Sequence, residues 1–151
     1  MQDTLPIHFA PLQGYTEAIY RNAHDAFFGG VDTYYTPFVR LEKGNFRRRD
    51  VRGIEPENNA VAHLIPQLIA SSAEKAEVIL SLFIEKGYQE VDINLGCPFP
   101  LLAKRHNGSG ILPYPEEVKA LLSIVTRYPQ ISFSVKMRLG WEQPDECLAL
   151  A

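Results

Sequence analysis

A chain of 151 residues, 46% apolar and 22% charged, is enough for one globular domain with a real core. It contains no run approaching the ~18 apolar residues of a membrane span, so no membrane partner is expected. Its two cysteines, Cys97 and Cys147, make neither a disulfide framework nor a metal-ligand set, and the four histidines show no metal spacing. A net charge of -3 argues against a uniformly basic nucleic-acid binder, yet the charge is uneven. Six basic residues (Arg40, Lys43, Arg47, Arg48, Arg49, Arg52) face only Glu42 and Asp50 over one stretch, and Lys104-Arg105-His106 forms a second cluster. No signal peptide is expected from "MQDTLPIHFAPLQG", and a reducing, cytoplasmic setting fits best.

In chain order, residues 5–11 predict a short strand. Thr16 is the expected cap of a helix with Ile19, Ala23, Ala26 and Phe27 on its apolar face, ending at Gly29-Gly30. Residues 31–37, rich in β-branched and aromatic side chains, predict a second strand. An irregular basic stretch with at most one short helix runs from there to about Asn59. A third strand falls within 60–70, at its Ile65–Ile69 end, with Pro66 blurring its limits. Ser71 and Glu74 then read as a capping box, followed by a stripe of Ala76, Ile79, Leu80, Phe83 and Ile84 closed by Gly87. The fourth strand is 90–95. Pro115 opens the next helix, whose buried stripe is Val118, Leu121, Leu122 and Val125 and which Pro129 stops. The fifth strand is 131–137, and a last helix is expected to start at Pro144.

Strands alternating with helices imply an α/β fold with parallel pairing and helices outside, either an open sheet or part of a (β/α)8 barrel. Both architectures place ligands beyond the carboxyl ends of the strands. Those ends carry Pro11-Leu12-Gln13, Thr36-Pro37-Phe38, Pro66-Gln67, Asn94-Leu95-Gly96-Cys97-Pro98 and Lys136-Met137-Arg138. Cys97 is either a small buried hydrophobe or a proton donor, since a thiol ordinarily stays protonated at neutral pH. Lys136 lies in an otherwise apolar strand, where an ammonium is costly unless paired or functional; it either reaches water or holds an anionic group. Gln67 and Asn94 offer amide donors and acceptors to a planar heterocycle, or bond within the fold. "NGSGIL" (107–112) is Gly-rich without a phosphate-binding context and reads as a turn. The Arg47–Arg52 run is either a solvated loop, partly paired with Glu55 and Glu57, or a set of phosphate contacts. His63 is expected to pack in a strand and His106 to support the basic loop.

"APLQGYTEAIYR", "PQL", "DINLGCP", "NGSGILPYPEEV" and "VKMRLGW" occur in that order between about Phe9 and Trp141. The combination resembles the N-terminal half of the tRNA-dihydrouridine synthases. That resemblance implies five or so strands of a TIM barrel that reduces transfer-RNA uridines to dihydrouridine with FMN, and NADPH as reductant. It places Pro11, Leu12 and Gln13 against the flavin, and Gln67 and Lys136 in hydrogen bonds to it. It makes Asn94 and Arg138 substrate contacts, and Cys97 the acid that protonates the base. Arg47, Arg48, Arg49, Lys104 and Arg105 become contacts to the RNA backbone. Two departures stand out: Phe99-Pro100-Leu101-Leu102 replaces a lysine-bearing run frequent in the family, and Gln13 replaces a small or apolar residue.

A complete barrel takes about 250 residues, so residues 1–151 are expected to be a truncated barrel domain lacking its later strands and the family's helical RNA-binding domain. A truncated form, a proteolytic remnant and an incomplete gene all remain open. Two uncovered sheet edges would favour self-association. The alternatives are a barrel flavoprotein reducing a small molecule and a non-catalytic half-barrel remnant. The former has no use for Arg47–Arg52, and the latter none for the Cys97 thiol.

Overall fold

The structure, a computed structural model, describes residues 5–150. In chain order its elements are β1 (His8–Phe9), α1 (Ala18–Phe27), β2 (Thr33–Tyr35), β3 (Leu41–Glu42), β4 (Asn45–Phe46) and α2 (Arg48–Ile54). There follow β5 (Leu64–Ile65), β6 (Gln67–Leu68), α3 (Ala73–Glu85), β7 (Glu90–Leu95), α4 (Pro100–Ala103), α5 (Pro115–Leu122), α6 (Ile124–Arg127) and β8 (Ser132–Met137). All five expected strands are present, the first three shortened.

Pro66 explains the third strand. With no N–H to donate, it interrupts the ladder. Before it, β5 pairs in parallel with β2, with Tyr34 opposite Leu64 and Tyr35 opposite Ile65. After it, β6 pairs in parallel with β7, with Gln67 opposite Asp92 and Leu68 opposite Ile93. One stave thus passes from one neighbour to the next, joining the sheets β1-β2-β5 and β6-β7-β8 in sequential order. The Pro66 carbonyl still accepts from the Asp92 N–H at 3.0 Å, which keeps the register continuous.

Because side chains alternate along a strand, β7 has two different faces. Val91, Ile93 and Leu95, with Leu68 of β6, pack against Ala76, Ile79, Leu80 and Phe83 of α3, Val118 and Leu121 of α5, and Ile124 of α6. Each large apolar side chain buried there stabilises the fold by about 1.5–3 kcal/mol. Asp92 and Asn94 occupy the other face, away from the helices.

Several local expectations need correction. The N-cap of α1 is Glu17, without a side-chain bond; Thr16 instead closes a turn, its Oγ1 accepting from the Leu12 N–H at 2.8 Å. The apolar face of α1 is exposed, Ile19 by 85% and Phe27 by 84%, and its buried residues are Ala18 and Arg21. The α3 cap is Ser72, not Ser71: Ser72 Oγ accepts from the Lys75 N–H, while Ser71 Oγ accepts from Lys75 Nζ at 2.8 Å. At the end of α3 Ile84 faces out, and beyond α5 it is Ile124, not Val125, that reaches the core. The basic stretch is better ordered than expected, with the β3–β4 hairpin turning at Lys43 and Gly44 and α2 following. Instead of a helix from Pro144 there is one 3-10 turn, Glu146–Ala149, and Ala151 lies outside the described residues.

Candidate active site

Every residue to which the sequence gives a catalytic, cofactor or substrate role lines one cleft. Pro11, Leu12 and Gln13 from the segment after β1, Gln67 from β6, Asn94 from β7, Cys97 beyond it, and Lys136 and Arg138 from the end of β8 surround about 250 Å³. Pro37, Phe38, Gly96 and Pro98 complete the lining. The strand register accounts for this convergence. Asn94 is paired with Lys136 across β7 and β8, and one layer below, Gln67, Asp92 and Ser134 lie side by side across three strands. Residues two apart on a strand share a face, so both layers point into the same space.

The lower layer is one hydrogen-bonded row. Asp92 is 3% exposed and accepts from Gln67 Nε2 at 2.6 Å and from Ser134 Oγ at 2.7 Å. Gln67 Oε1 accepts from Asn94 Nδ2 at 2.8 Å. Asn94 Oδ1 in turn accepts the backbone N–H groups of Gly96 and Cys97, at 3.0 and 2.9 Å. Burial pushes the Asp92 carboxyl above its ordinary value, and the bonds from Gln67 and Ser134 oppose that rise.

The loop bearing Cys97 is clamped from behind by "NGSG". Ser109, fully buried, donates both its N–H and its Oγ–H to the Cys97 carbonyl, each at 3.0 Å. Gly108 sits at φ +59, where a side chain is strained, and a Cβ there would lie 2.6 Å from the Cys97 carbonyl oxygen. The stretch expected to be a simple turn therefore holds the thiol in place. On the other side Arg138 Nε donates to the Gly96 carbonyl at 2.8 Å. A methyl added at Gly96 would come within 3.6 Å of Lys136 Nζ, so the ammonium lies against the residue before the thiol. Cys97 itself is half-buried and packs on the cluster Phe38, Ile69 and Leu102.

Gln13 has the least usual environment. Both its amide oxygen and its amide nitrogen are buried, and neither has a partner within the protein. An unpaired buried amide costs free energy that a ligand's complementary groups would recover. With the Lys136 ammonium and the spare hydrogens of Gln67 and Asn94, the donor set suits a flat, carbonyl-rich ring such as a flavin's isoalloxazine. Among the described residues no cluster of three His, Cys, Asp or Glu side chains could hold a metal. None of their helices is long and apolar enough to cross a membrane.

The basic residues divide. Arg47 and Arg49 pair with Glu42 and Glu17, at 3.8 and 3.7 Å, rather than with Glu55 and Glu57; Glu55 pairs with Lys86 at 2.7 Å. Arg48 and Lys104 are exposed, and Arg105 lines a second cleft. His106 stacks on Tyr114 and bonds Glu117 at 2.7 Å, bracing that loop. His63 is half-buried at the opposite end of the sheet, between Thr33 and Glu90. The sequence reading missed Asp92, Ser134 and Ser109. The alternation of Asp92 and Asn94 within an apolar strand was the available signal for the first.

Fold and cleft together define a parallel α/β protein with a thiol and an ammonium at the carboxyl rim of its sheet. The dihydrouridine synthase (Dus) family model matches residues 8–151, and the chain belongs to that family. Its five staves are part of the family's (β/α)8 barrel. Over 139 residues it is 29% identical to "Probable tRNA-dihydrouridine synthase 1" of Synechocystis sp., covering 88% of this chain and 37% of that protein. It is 32% identical over 113 residues to "tRNA-dihydrouridine synthase B" of Klebsiella pneumoniae, covering 73% and 33% of the two. The protein of that name from Pasteurella multocida is 24% identical over 156 residues, covering 96% and 43%. The chain therefore spans between 33% and 43% of the length of these relatives.

Proposed function

We propose that the cleft carries out the reduction of a transfer-RNA uridine to 5,6-dihydrouridine, with FMN as cofactor and NADPH as the source of electrons, in a chain that supplies the rest of the barrel. The observation that carries this reading is the convergence of Gln13, Gln67, Asn94, Cys97, Lys136 and Arg138 on one cleft in a member of this family. Gln13, Gln67 and Lys136, with Pro11 and Leu12 as an apolar wall, would hold the FMN. When bound, FMN supplies the hydride that ends on C6 of the uracil, having received it from NADPH.

The protein's own residues supply the rest. The Cys97 thiol donates its proton to C5, so that hydride and proton together saturate one carbon–carbon double bond. Asn94, held by Gln67, lines the place of the base, and Arg138 stands beside it. The Lys136 ammonium offsets the negative charge that builds up at the ring edge during transfer. A base inside folded RNA must swing out to enter the cleft, and the basic residues from Arg40 to Arg52 with Lys104-Arg105 steady its backbone.

The test is Cys97→Ala in a chain carrying the complete barrel. The expected product is a yellow protein that oxidises NADPH yet leaves tRNA uridines unreduced. Dihydrouridine formation at the normal rate would refute the acid assignment. Residues 1–151 alone are expected to bind FMN poorly and to catalyse nothing.

A further inference from the structure

Beyond the reaction cleft lies a second cleft of about 480 Å³, between the β3–β4 hairpin, α3 and the loop after α4. Arg40 and Lys43 reach it from the hairpin, Lys75 from α3 and Arg105 from the loop, against one carboxylate, Glu42. Glu42 neutralises little of this charge, lying 3.8 Å from Arg40 and equally far from Arg47. Among the described residues no acid is in ion-pair contact with Lys43, Lys75 or Arg105; Lys75 donates only to the Ser71 hydroxyl, at 2.8 Å. Arg40 Nε is buried without a partner. Four cations around one concavity repel one another, and the repulsion is relieved by an anion that spans them.

The wall of this cleft gives its relation to the chemistry. Ile69 and Leu102 line it, and these two side chains with Phe38 form the apolar cluster against which Cys97 packs. Phe38 and Cys97 line the reaction cleft. The two clefts share this apolar wall, so the cations lie beside the reaction cleft, where the sugar–phosphate backbone flanking an inserted base runs. The cations come from three separate segments, an arrangement that tracks successive phosphates along a strand.

We infer that this second cleft takes phosphates of the RNA strand next to the base that enters the reaction cleft, held by Arg40, Lys43, Lys75 and Arg105. The inference rests on the proposed RNA substrate and names where its backbone lies. It also centres the contact on Lys43, Lys75 and Arg105, which have no acid in ion-pair contact among the described residues, whereas Arg40 and Arg47 each lie 3.8 Å from Glu42.

The test is equilibrium binding of this chain to an unmodified tRNA transcript across a salt series. Lys75→Ala combined with Arg105→Ala removes two exposed cations with no structural partner beyond Ser71. Each phosphate contact to single-stranded nucleic acid contributes about 0.7 to the slope of log affinity against log salt, so the slope should fall by about 1.4. Lys119→Ala combined with Arg127→Ala, on α5 and α6, should leave it unchanged. An unaltered slope in the first variant, an equal fall in the second, no RNA binding at all, or displacement of RNA by NADPH would each overturn the assignment. The readout needs neither flavin nor turnover. A chain that binds RNA through this cleft while the complete enzyme reduces no uridine would uphold this inference and defeat the proposed reaction.

Discussion

Gly108→Ala isolates the clamp behind the thiol. Two costs arise at this position. The first is conformational: φ +59 belongs to the left-handed region, where a side chain loses about 1–2 kcal/mol. The second is steric. The new Cβ would meet the Cys97 carbonyl oxygen at 2.6 Å, the Cys97 Cβ at 2.9 Å and the Cys97 nitrogen at 3.0 Å. None of these is the free end of a flexible side chain, so no rotamer change relieves the contact, and overpacking of this kind costs about 1–3 kcal/mol. Gly44→Ala is the control: it has φ +79 with no atom within 4 Å of the added carbon, and so incurs the first cost alone. Urea denaturation should place Gly108→Ala about 1–3 kcal/mol below Gly44→Ala. Relief of the clash must also shift the Cys97 peptide, stretching its bonds to Ser109 and Asn94. In a Cys147→Ser background, alkylation of Cys97 by iodoacetamide should therefore change rate several-fold in Gly108→Ala and not in Gly44→Ala. Equal stabilities for the two variants would refute the claim that this glycine is packed against the loop bearing Cys97.

Other expectations follow from buried polar groups and open edges. Asp92→Asn keeps the shape of the row, with the new amide accepting from Gln67 and donating to Ser134. Because burial raises the carboxyl's folded value above the ordinary 3.8, the native side chain's contribution is fully present below that pH and is lost as pH rises through the raised value. The variant should thus gain stability relative to the parent from acidic towards neutral pH, and a pH-independent difference in denaturation midpoints would contradict this. Arg21 is fully buried, donates to the Thr16 and Gly53 carbonyls and to Asn59 Oδ1, and has its pKa lowered by burial to about 10. Arg21→Met should cost about 3 kcal/mol, since the buried Thr16 carbonyl and the half-buried Asn59 Oδ1 lose their donor while the Gly53 carbonyl keeps only the Asn59 amide at 3.2 Å; a urea midpoint unmoved by the change would show those bonds to be dispensable. Exposed Ile7, Ile19, Phe27 and Phe28 beside the free edge of β1 favour pairing with a second copy, and sedimentation should find oligomers. A monodisperse monomer counts against it.

The strand order and the rim of the site were legible because both are carried by local patterns. Short segments rich in β-branched, aromatic and other apolar residues, set between helical stretches, mark the staves, and polar residues at their carboxyl ends mark the cleft. Helix α3 was legible for the same reason, since its stripe of Ala76, Ile79, Leu80 and Phe83 faces a sheet that is present. Helix α1 shows the limit of periodicity. Ile19, Ala23 and Phe27 do share a face, but burial requires an opposing surface, and the described residues provide one only on the side of Ala18 and Arg21. A buried arginine reverses the usual assignment of sides, and its three acceptors, Thr16, Gly53 and Asn59, are spread over more than forty residues. Asp92 and Ser134 were missed for a related reason. Their meaning depends on cross-strand register, which no short stretch encodes.

That register also determines what the cleft can bind. Asp92 accepts from both Gln67 and Ser134, so the Gln67 amide nitrogen turns towards it and the Gln67 oxygen towards Asn94. At the other end of the row the backbone N–H groups of Gly96 and Cys97 only donate, which turns the Asn94 oxygen towards them. Both amides are therefore oriented from both ends, and neither can flip without setting like groups against each other. What remains free on this row is one hydrogen on Gln67 and one on Asn94; with the Lys136 ammonium beside them this side of the cleft offers donors, while Gln13 adds an amide that can both donate and accept. This side of the cleft favours a ligand that presents acceptors, as the carbonyl edges of a flavin and a uracil both do. The same row ends on the peptide of Cys97, so the groups that face the ligand also fix the backbone that carries the thiol.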